Sequence, residues 1–291
     1  MTARRVALLV PVWAWMGAFF LLPFAIILWI AFGEAAETMP PYLPPIIRSP
    51  EGDLVLAPNF ASFALIFEDA FYIEAAWRSL RVAALTVCFC LALGYPMALA
   101  IARAPEGWRA GLLALVILPF WTSFLLRITA WIGILQDQGW INAWALRLGV
   151  IEEPWRLLYT DAAMLVGMVY CYLPFMILPL YATLGRLDPL LREAAADLGA
   201  RPWQVFLRVT LPLSLPGIVA GSLLVFIPAA GEFVIPELLG GPEAQLLGRV
   251  VWTEFFQNRD WPLASALSVL LLAALVLPII LFQRRRAVEE A

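Results

Sequence analysis

Six apolar segments of 20 or more residues run through the sequence, separated by polar connections. A membrane-spanning helix needs about 20 mainly apolar residues. We predict spans at about residues 6–32, 80–102, 110–135, 162–184, 213–235 and 263–282. Hydrocarbon offers the backbone no hydrogen-bond partner, so each span must be helical. The fold class predicted is therefore an all-α membrane protein with six transmembrane helices.

The composition supports lipid as the solvent. Hydrophobic residues make up 63% of the chain and charged residues 14%, against about 45–50% and about 25% in soluble domains. Prolines within the spans predict kinked helices, because neighbouring helices can re-satisfy the carbonyls that proline leaves unpaired. These prolines are Pro11, Pro23, Pro96, Pro119, Pro174, Pro179, Pro216 and Pro228.

The charged residues exclude several kinds of chemistry. All 19 basic residues are arginine, and the chain has neither lysine nor histidine. Imidazole catalysis, Schiff-base chemistry and a P-loop for ATP all lack their essential side chain. Cys88, Cys90 and Cys171 lie in apolar segments and are interpreted as small buried residues. We expect no catalytic residue, metal site or cofactor on this chain. With a net charge of −3 and no long basic run, we expect no nucleic-acid partner.

The arginines indicate orientation. With the N-terminus inside, the inner segments hold eleven arginines and the outer segments six. Positive residues favour the cytoplasmic side, so we expect both termini in the cytoplasm. The outer segments also hold fifteen acidic residues. These either concentrate a cationic solute or fill the polar positions that arginine avoids.

The longest inner connection, residues 185–212, predicts two short helices. Asp188 is placed as an N-cap, and Pro189 as the first helical residue. Apolar residues then recur at helical spacing, and Gly199 is placed to end the helix in a left-handed conformation. Pro202 opens the second helix. A short amphipathic helix outside lipid needs a groove on the membrane surface or on a partner protein.

This connection resembles the EAA loop of ABC-importer permeases. The family pattern is E-A-A, three residues, G, nine residues and I-x-L-P. It is matched by Glu193, Ala194, Ala195, Gly199, Val209, Leu211 and Pro212. Val209 stands where isoleucine is usual. Residues 118–135, 226–241 and 258–264 resemble the permease subunits of spermidine/putrescine importers, of the putrescine type.

The resemblance implies one permease domain over residues 1–291, of the type I ABC importer kind, with a coupling-helix loop at 185–212. It also implies a second related permease, homodimeric ATPase subunits that bind ATP and Mg, and a periplasmic solute-binding protein. The chain would move polyamine across the bacterial inner membrane by alternating access and catalyse nothing itself. Glu193 would hold the loop through charge-assisted hydrogen bonds, while Ala194 and Ala195 would allow close approach.

Polyamines are recognised by carboxylates and by aromatic faces. The candidate solute contacts are Glu232, Asp137, Trp121, Trp131, Tyr170 and Tyr172. Glu232 lies near the outer end of a mainly apolar span, where Gly231 and Pro236 suggest a broken or capped helix end; it either lines the route or reaches interfacial water. Asp137 is also explained as a loop acid, and the aromatic residues by helix packing or the interfacial belt.

Two arginines and one outer segment have no assigned role. Arg81 and Arg127 fall within spans, where they would repel a polyamine. We expect them to pair with acids or helix ends, or to reach the interface. Residues 33–78 form either a docking element for the binding protein or a lid.

Other functions predict different features. The chain could be a permease for ferric iron, sulfate or phosphonate, which the sequence does not separate from polyamine. A secondary transporter or channel would work without an ATPase, and it is disfavoured because no midplane proton relay is evident. A membrane enzyme is disfavoured by the absence of histidine and of a recognisable catalytic set.

Overall fold

The computed structural model describes residues 3–48 and 53–289, with side chains at 9–46, 53–276 and 280. Some residues used in the orientation argument therefore lie outside the described set. They are Glu51 and the side chains of Arg4, Arg5, Arg48, Arg284, Arg285 and Arg286.

The described chain is predominantly helical, which confirms the predicted class. The helices are α1 (Ala3–Met16), α2 (Leu22–Ala31), α3 (Ala61–Glu68), α4 (Ala70–Arg103), α5 (Glu106–Ile117), α6 (Phe124–Leu135), α7 (Trp140–Arg147), α8 (Asp161–Leu184), α9 (Pro189–Asp197), α10 (Pro202–Val205), α11 (Leu211–Leu213), α12 (Leu215–Ala230), α13 (Val234–Leu239), α14 (Leu247–Phe256) and α15 (Trp261–Glu289). A 3-10 turn spans Leu118–Trp121, and π turns span Gly17–Leu21 and Phe206–Thr210.

Two small hairpins lie between α2 and α3. Strand β1 (Glu34–Ala35) pairs antiparallel with β2 (Tyr42–Leu43), with Glu34 opposite Leu43. Strand β3 (Ile46–Arg48) pairs antiparallel with β4 (Leu54–Leu56), with Ile46 opposite Leu56. Part of the long outer segment is therefore extended.

Among the described residues, three helices are individually long and apolar enough to cross a membrane: Leu9–Ala31, α4 and α8. The number rises to five if each of two sharply bent helix pairs is counted as one span. The sixth predicted span falls within α15, whose described apolar part is Trp261–Val276. The count of six and the span boundaries stay predictions.

One predicted span is broken rather than kinked, and a second break lies where the 185–212 loop meets the predicted span 213–235. The helical segments on either side of Thr122 meet at 88°. Pro119 lies in the 3-10 turn, and Thr122 is extended with its hydroxyl donating to the Pro119 carbonyl at 2.7 Å. The second break, of 63°, lies at Ser214, whose hydroxyl donates to the Leu211 carbonyl at 2.8 Å. Each of these carbonyls also accepts the backbone N–H of the same residue, so the hydroxyl adds a second hydrogen bond at each break.

The chain divides into two compact units, residues 1–76 with 247–291, and residues 77–246. The first unit has an apolar core from α2, α3, α14, α15 and the start of α4, including Ala31, Ile66, Val250, Ala266 and Leu267. Beside it, the buried Glu254 accepts a hydrogen bond from the Tyr72 hydroxyl at 3.2 Å and one from the Asn258 amide at 2.8 Å.

The second unit is built on the packing of α12 against α8. Gly217 and Gly221, one turn apart on α12, face α8. A Cβ at Gly217 would lie 2.6 Å from the Thr183 hydroxyl and 3.0 Å from the Pro179 carbonyl. A Cβ at Gly221 would lie 3.1 Å from the Met176 carbonyl. Small residues repeated every four positions let two membrane helices approach closely.

Candidate transport pathway and coupling loop

Glu232 lies at a helix break, in the short link between α12 and α13. It is 9% exposed. Its Oε1 accepts hydrogen bonds from the backbone N–H groups of Val234 at 2.9 Å, Phe233 at 3.1 Å and Ile235 at 3.4 Å. Its Oε2 accepts a hydrogen bond from the Tyr172 hydroxyl. The carboxylate therefore caps the amino end of α13 and ties that helix to α8.

The local sequence explains this arrangement. Helix α12 ends at Ala230, and Gly231 follows in a turn. The first N–H groups of α13 then have no partner within their helix, and a carboxylate both bonds them and complements the helix dipole. Gly167 on α8 makes room for α13, since a Cβ there would lie 2.4 Å from Leu239.

The structure brings together four of the six candidate solute contacts, in two pairs. Tyr172 meets Glu232. The ring of Trp131 packs edge-on against Tyr170, with centroids 5.6 Å apart. Asp137 is exposed, and Trp121 is 83% exposed at the end of the 3-10 turn. Among the described contacts, nothing joins Trp121 or Asp137 to the two pairs. Their contact with solute stays a prediction.

Sequence reasoning missed a row of aromatic rings between α8 and Arg127. Tyr172 and Phe175 have centroids 6.3 Å apart, and Phe175 packs edge-on against Phe120 at 5.2 Å. The Arg127 guanidinium carbon lies 5.0 Å from the centre of the Phe120 ring and 5.7 Å from that of Phe124. An arginine three residues after a phenylalanine was the available signal, but Phe120 lies beyond the break at Thr122.

Of the outcomes expected for Arg127, pairing with an acid or a helix end is not seen among the described residues, and reaching the interface stays a prediction. Its buried Nε and Nη1 atoms have no hydrogen-bond partner there. The guanidinium is instead held over two aromatic faces, a cation–π arrangement. The row of rings thus runs from the half-buried Arg127 to Tyr172, which is bonded to the buried Glu232.

The predicted details of the 185–212 loop are confirmed. The Asp188 side chain accepts a hydrogen bond from the Leu190 N–H at 2.9 Å, and Pro189 opens α9. Gly199 has φ +82°, in the left-handed region. The second helix, α10, begins at Pro202 and is capped by the Gln204 side chain, which accepts from the Arg201 N–H at 2.8 Å.

The two loop helices present apolar side chains to the outside of this chain. Leu190 is 64% exposed, Leu198 is 90% exposed and Trp203 is 56% exposed. Glu193 and Ala194 are also exposed, and Ala195 is half-buried. An exposed apolar stripe with a carboxylate beside it is typical of a helix that a partner covers.

The described residues contain no group of three or more acidic, cysteine or histidine side chains that could hold a metal. The described structure is a helical bundle with two helix breaks and an exposed two-helix loop. This is the architecture of a membrane transport subunit.

Comparison with known proteins agrees with this class. Residues 6–285 match the family described as "Binding-protein-dependent transport system inner membrane component". The chain belongs to that family, and the match extends over both compact units. It is accordingly a multi-pass permease subunit of the inner membrane and not itself an enzyme, which confirms the family predicted from the EAA pattern.

The chain is similar to named permeases over about three quarters of its length. It is 44% identical to the spermidine/putrescine transport system permease protein PotB of Salmonella typhimurium strain SL1344, over 74% of this chain and 75% of that protein. It is 43% identical to PotB of Escherichia coli K12, over 74% and 78%. It is 34% identical to the molybdenum transport system permease protein ModB of Mycobacterium bovis, over 68% and 74%.

The fold is shared with a solved transporter. A chain from the crystal structure of a bacterial ABC transporter involved in alginate import superposes with a TM-score of 0.72 at 20% identity, covering 98% of this chain and 95% of the other. The predicted ABC-importer permease fold is therefore confirmed.

Proposed function

We propose that this chain is a permease subunit of an ABC importer that moves polyamines, putrescine or spermidine, into the cell. The observation that carries the proposal is the identity of 41–44% to spermidine/putrescine permeases over three quarters of the chain. Aromatic faces and carboxylates, the groups that recognise ammonium ions, lie on α6, α8 and the link after α12.

The energy for transport comes from separate subunits. Two copies of an ATPase subunit bind ATP and Mg, and their closure drives alternating access in this chain and a second, related permease. The 185–212 loop is the coupling element, with Leu190 and Leu198 seated in a groove of the ATPase. Glu193 holds the loop by charge-assisted hydrogen bonds, and Gly199 sets the turn between α9 and α10.

Solute arrives from a periplasmic binding protein on the acidic outer side, with both termini of this chain in the cytoplasm. The arginine bias supports this orientation. We retain Glu232, Asp137, Trp121, Trp131, Tyr170 and Tyr172 as pathway residues. Three backbone N–H groups occupy Oε1 of Glu232, whereas Oε2 accepts one hydrogen bond, from Tyr172, and keeps a lone pair for an ammonium group of the solute.

Competition for uptake tests the solute directly. A strain without its own polyamine importers would express this chain with its neighbouring permease, ATPase and binding protein, and uptake of labelled spermidine would be measured. We expect excess putrescine to compete, while molybdate, sulfate and ferric ion do not. Molybdate is included because ModB is also a relative. Uptake of labelled molybdate without uptake of spermidine would overturn the polyamine assignment while leaving the family intact.

A further inference from the structure

A cavity of about 590 Å³ lies between the α4–α5 turn and the 185–212 loop. Three arginines line it, each from a different element. Arg103 ends α4, Arg109 lies in the first turn of α5, and Arg192 lies on α9. One acid, Glu106, shares the lining, and the remaining wall is mainly aliphatic. The cavity therefore carries an excess of positive charge.

These positive charges are not neutralised within the described chain. Among the described residues, Arg103, Arg109 and Arg192 take part in no ion pair. Arg109 uses its Nε to donate to the Ala104 carbonyl at 2.8 Å, which orients the guanidinium. Asp188 is not among the lining residues, and its carboxylate caps the Leu190 N–H at the start of α9. Three like charges around one space repel one another unless an anion lies between them.

Thr210 gives a second, independent indication of a ligand. It lines the same cavity and is 2% exposed. Its buried hydroxyl has no hydrogen-bond partner among the described residues. Leaving such a buried group without a partner is unfavourable. Thr86, Thr129 and Thr183, by contrast, donate to a carbonyl of the preceding helical turn. A ligand acceptor at the cavity would satisfy the Thr210 hydroxyl.

We propose that this cavity binds a phosphate group. Arginine guanidinium groups match the oxygens of phosphate in charge and geometry, and the Thr210 hydroxyl adds a further donor. A polyamine, which is a cation, cannot bind to such a set of donors. The phosphate belongs either to an anionic phospholipid of the adjoining leaflet or to a soluble phosphate. Placing the site at the cytoplasmic leaflet rests on the proposed orientation, whereas phosphate binding itself does not depend on the transported solute.

The test uses the purified complete transporter and two probes, without any transport measurement. Inorganic phosphate is titrated into the detergent-solubilised complex by calorimetry. In parallel, retention of phosphatidylglycerol over phosphatidylcholine is counted by native mass spectrometry. We expect saturable binding of one probe, which identifies the source. The Arg103→Gln, Arg192→Gln double variant should bind it about tenfold or more weakly. Arg186→Gln, on the same loop but outside the lining, should bind as the wild type does.

Thr210→Val keeps the test decisive if the double variant does not assemble. It preserves shape and removes the unpaired hydroxyl, so it should fold and bind the probe about threefold to tenfold more weakly. Saturable binding that both sets of variants retain at wild-type strength would overturn the proposal. A wild-type complex that binds neither probe would also overturn the proposal, and this is the result expected if an acidic segment of the ATPase fills the cavity.

Discussion

At the scale of single residues, Glu232 has a structural role that its hydrogen bonds show and a pathway role that stays a prediction. Its position near the end of an apolar span suggests contact with solute. Its hydrogen bonds make it the cap of α13 and the anchor of that helix to α8. Because a buried carboxylate with this many hydrogen-bond donors is strongly held, its removal should first lower the stability of the protein.

Variants of the two neighbouring tyrosines test the structural role of Glu232. Tyr172→Phe removes the hydroxyl that donates to Glu232, and should lower the free energy of unfolding by about 1–3 kcal/mol. Tyr170→Phe is the matched control, because Tyr170 contributes a ring contact and its hydroxyl forms no hydrogen bond with the described residues. Thermal unfolding of the purified complex measures both. Equal melting temperatures for the two variants would show that the Tyr172–Glu232 bond contributes nothing.

Gly199 can be tested through its backbone alone. A Cβ there would meet no atom within 4 Å, so the φ of +82° is the sole constraint. Gly199→Val should cost about 1–3 kcal/mol of local strain and reduce solute-stimulated ATP hydrolysis. Gly199→Asn should lose much less, because asparagine tolerates the left-handed region. Both variants should reach the membrane in normal amounts. Wild-type coupling in the valine variant would remove the loop from the mechanism.

At the scale of elements, the packing of α12 on α8 should reverse the usual effect on stability of replacing a helical glycine with alanine. Alanine in place of glycine normally stabilises a helix interior by about 0.5–1 kcal/mol. Gly217→Ala should instead destabilise the purified chain by about 1–3 kcal/mol, since its Cβ would press on Thr183 and on the Pro179 carbonyl. Gly111→Ala on α5 has open space and should follow the normal rule. Melting temperatures that rise in both variants would contradict the close packing.

Some features of the helices could be predicted from the sequence, and others could not. The helices and the caps of α9 follow from local chemistry, namely apolar length, Asp188-Pro189 and Gly199. The break at Thr122 does not, because a proline inside a membrane helix is compatible with a straight, kinked or broken chain. The partner of Arg127 stays open in the sequence for the same reason. Its partner Phe120 is set by the angle of the break, and the sequence does not encode that angle locally.

At the scale of the whole molecule, orientation is the first consequence to check. In a chain with Cys88, Cys90 and Cys171 replaced, single cysteines would be introduced at Leu54, which is 73% exposed, and at Leu198, which is 90% exposed. An impermeant thiol reagent should label Leu54→Cys in intact cells, and Leu198→Cys after the inner side is opened. The opposite pattern would invert the topology and place the loop away from any cytoplasmic ATPase.

The proposed energy source distinguishes this permease from a secondary transporter of similar composition. The chain contains no lysine for a P-loop, so an ATP-driven mechanism must draw on its partners. A secondary transporter would instead respond to an ion gradient and ignore nucleotide.

The most direct measurement is uptake of labelled putrescine or spermidine into proteoliposomes that contain the complete transporter. Uptake should require the binding protein outside and ATP with Mg inside. It should stop when the ATPase subunits are replaced by hydrolysis-deficient ones, and an imposed proton gradient should not restore it. Polyamine uptake that proceeds without ATP and follows the proton gradient would contradict the account.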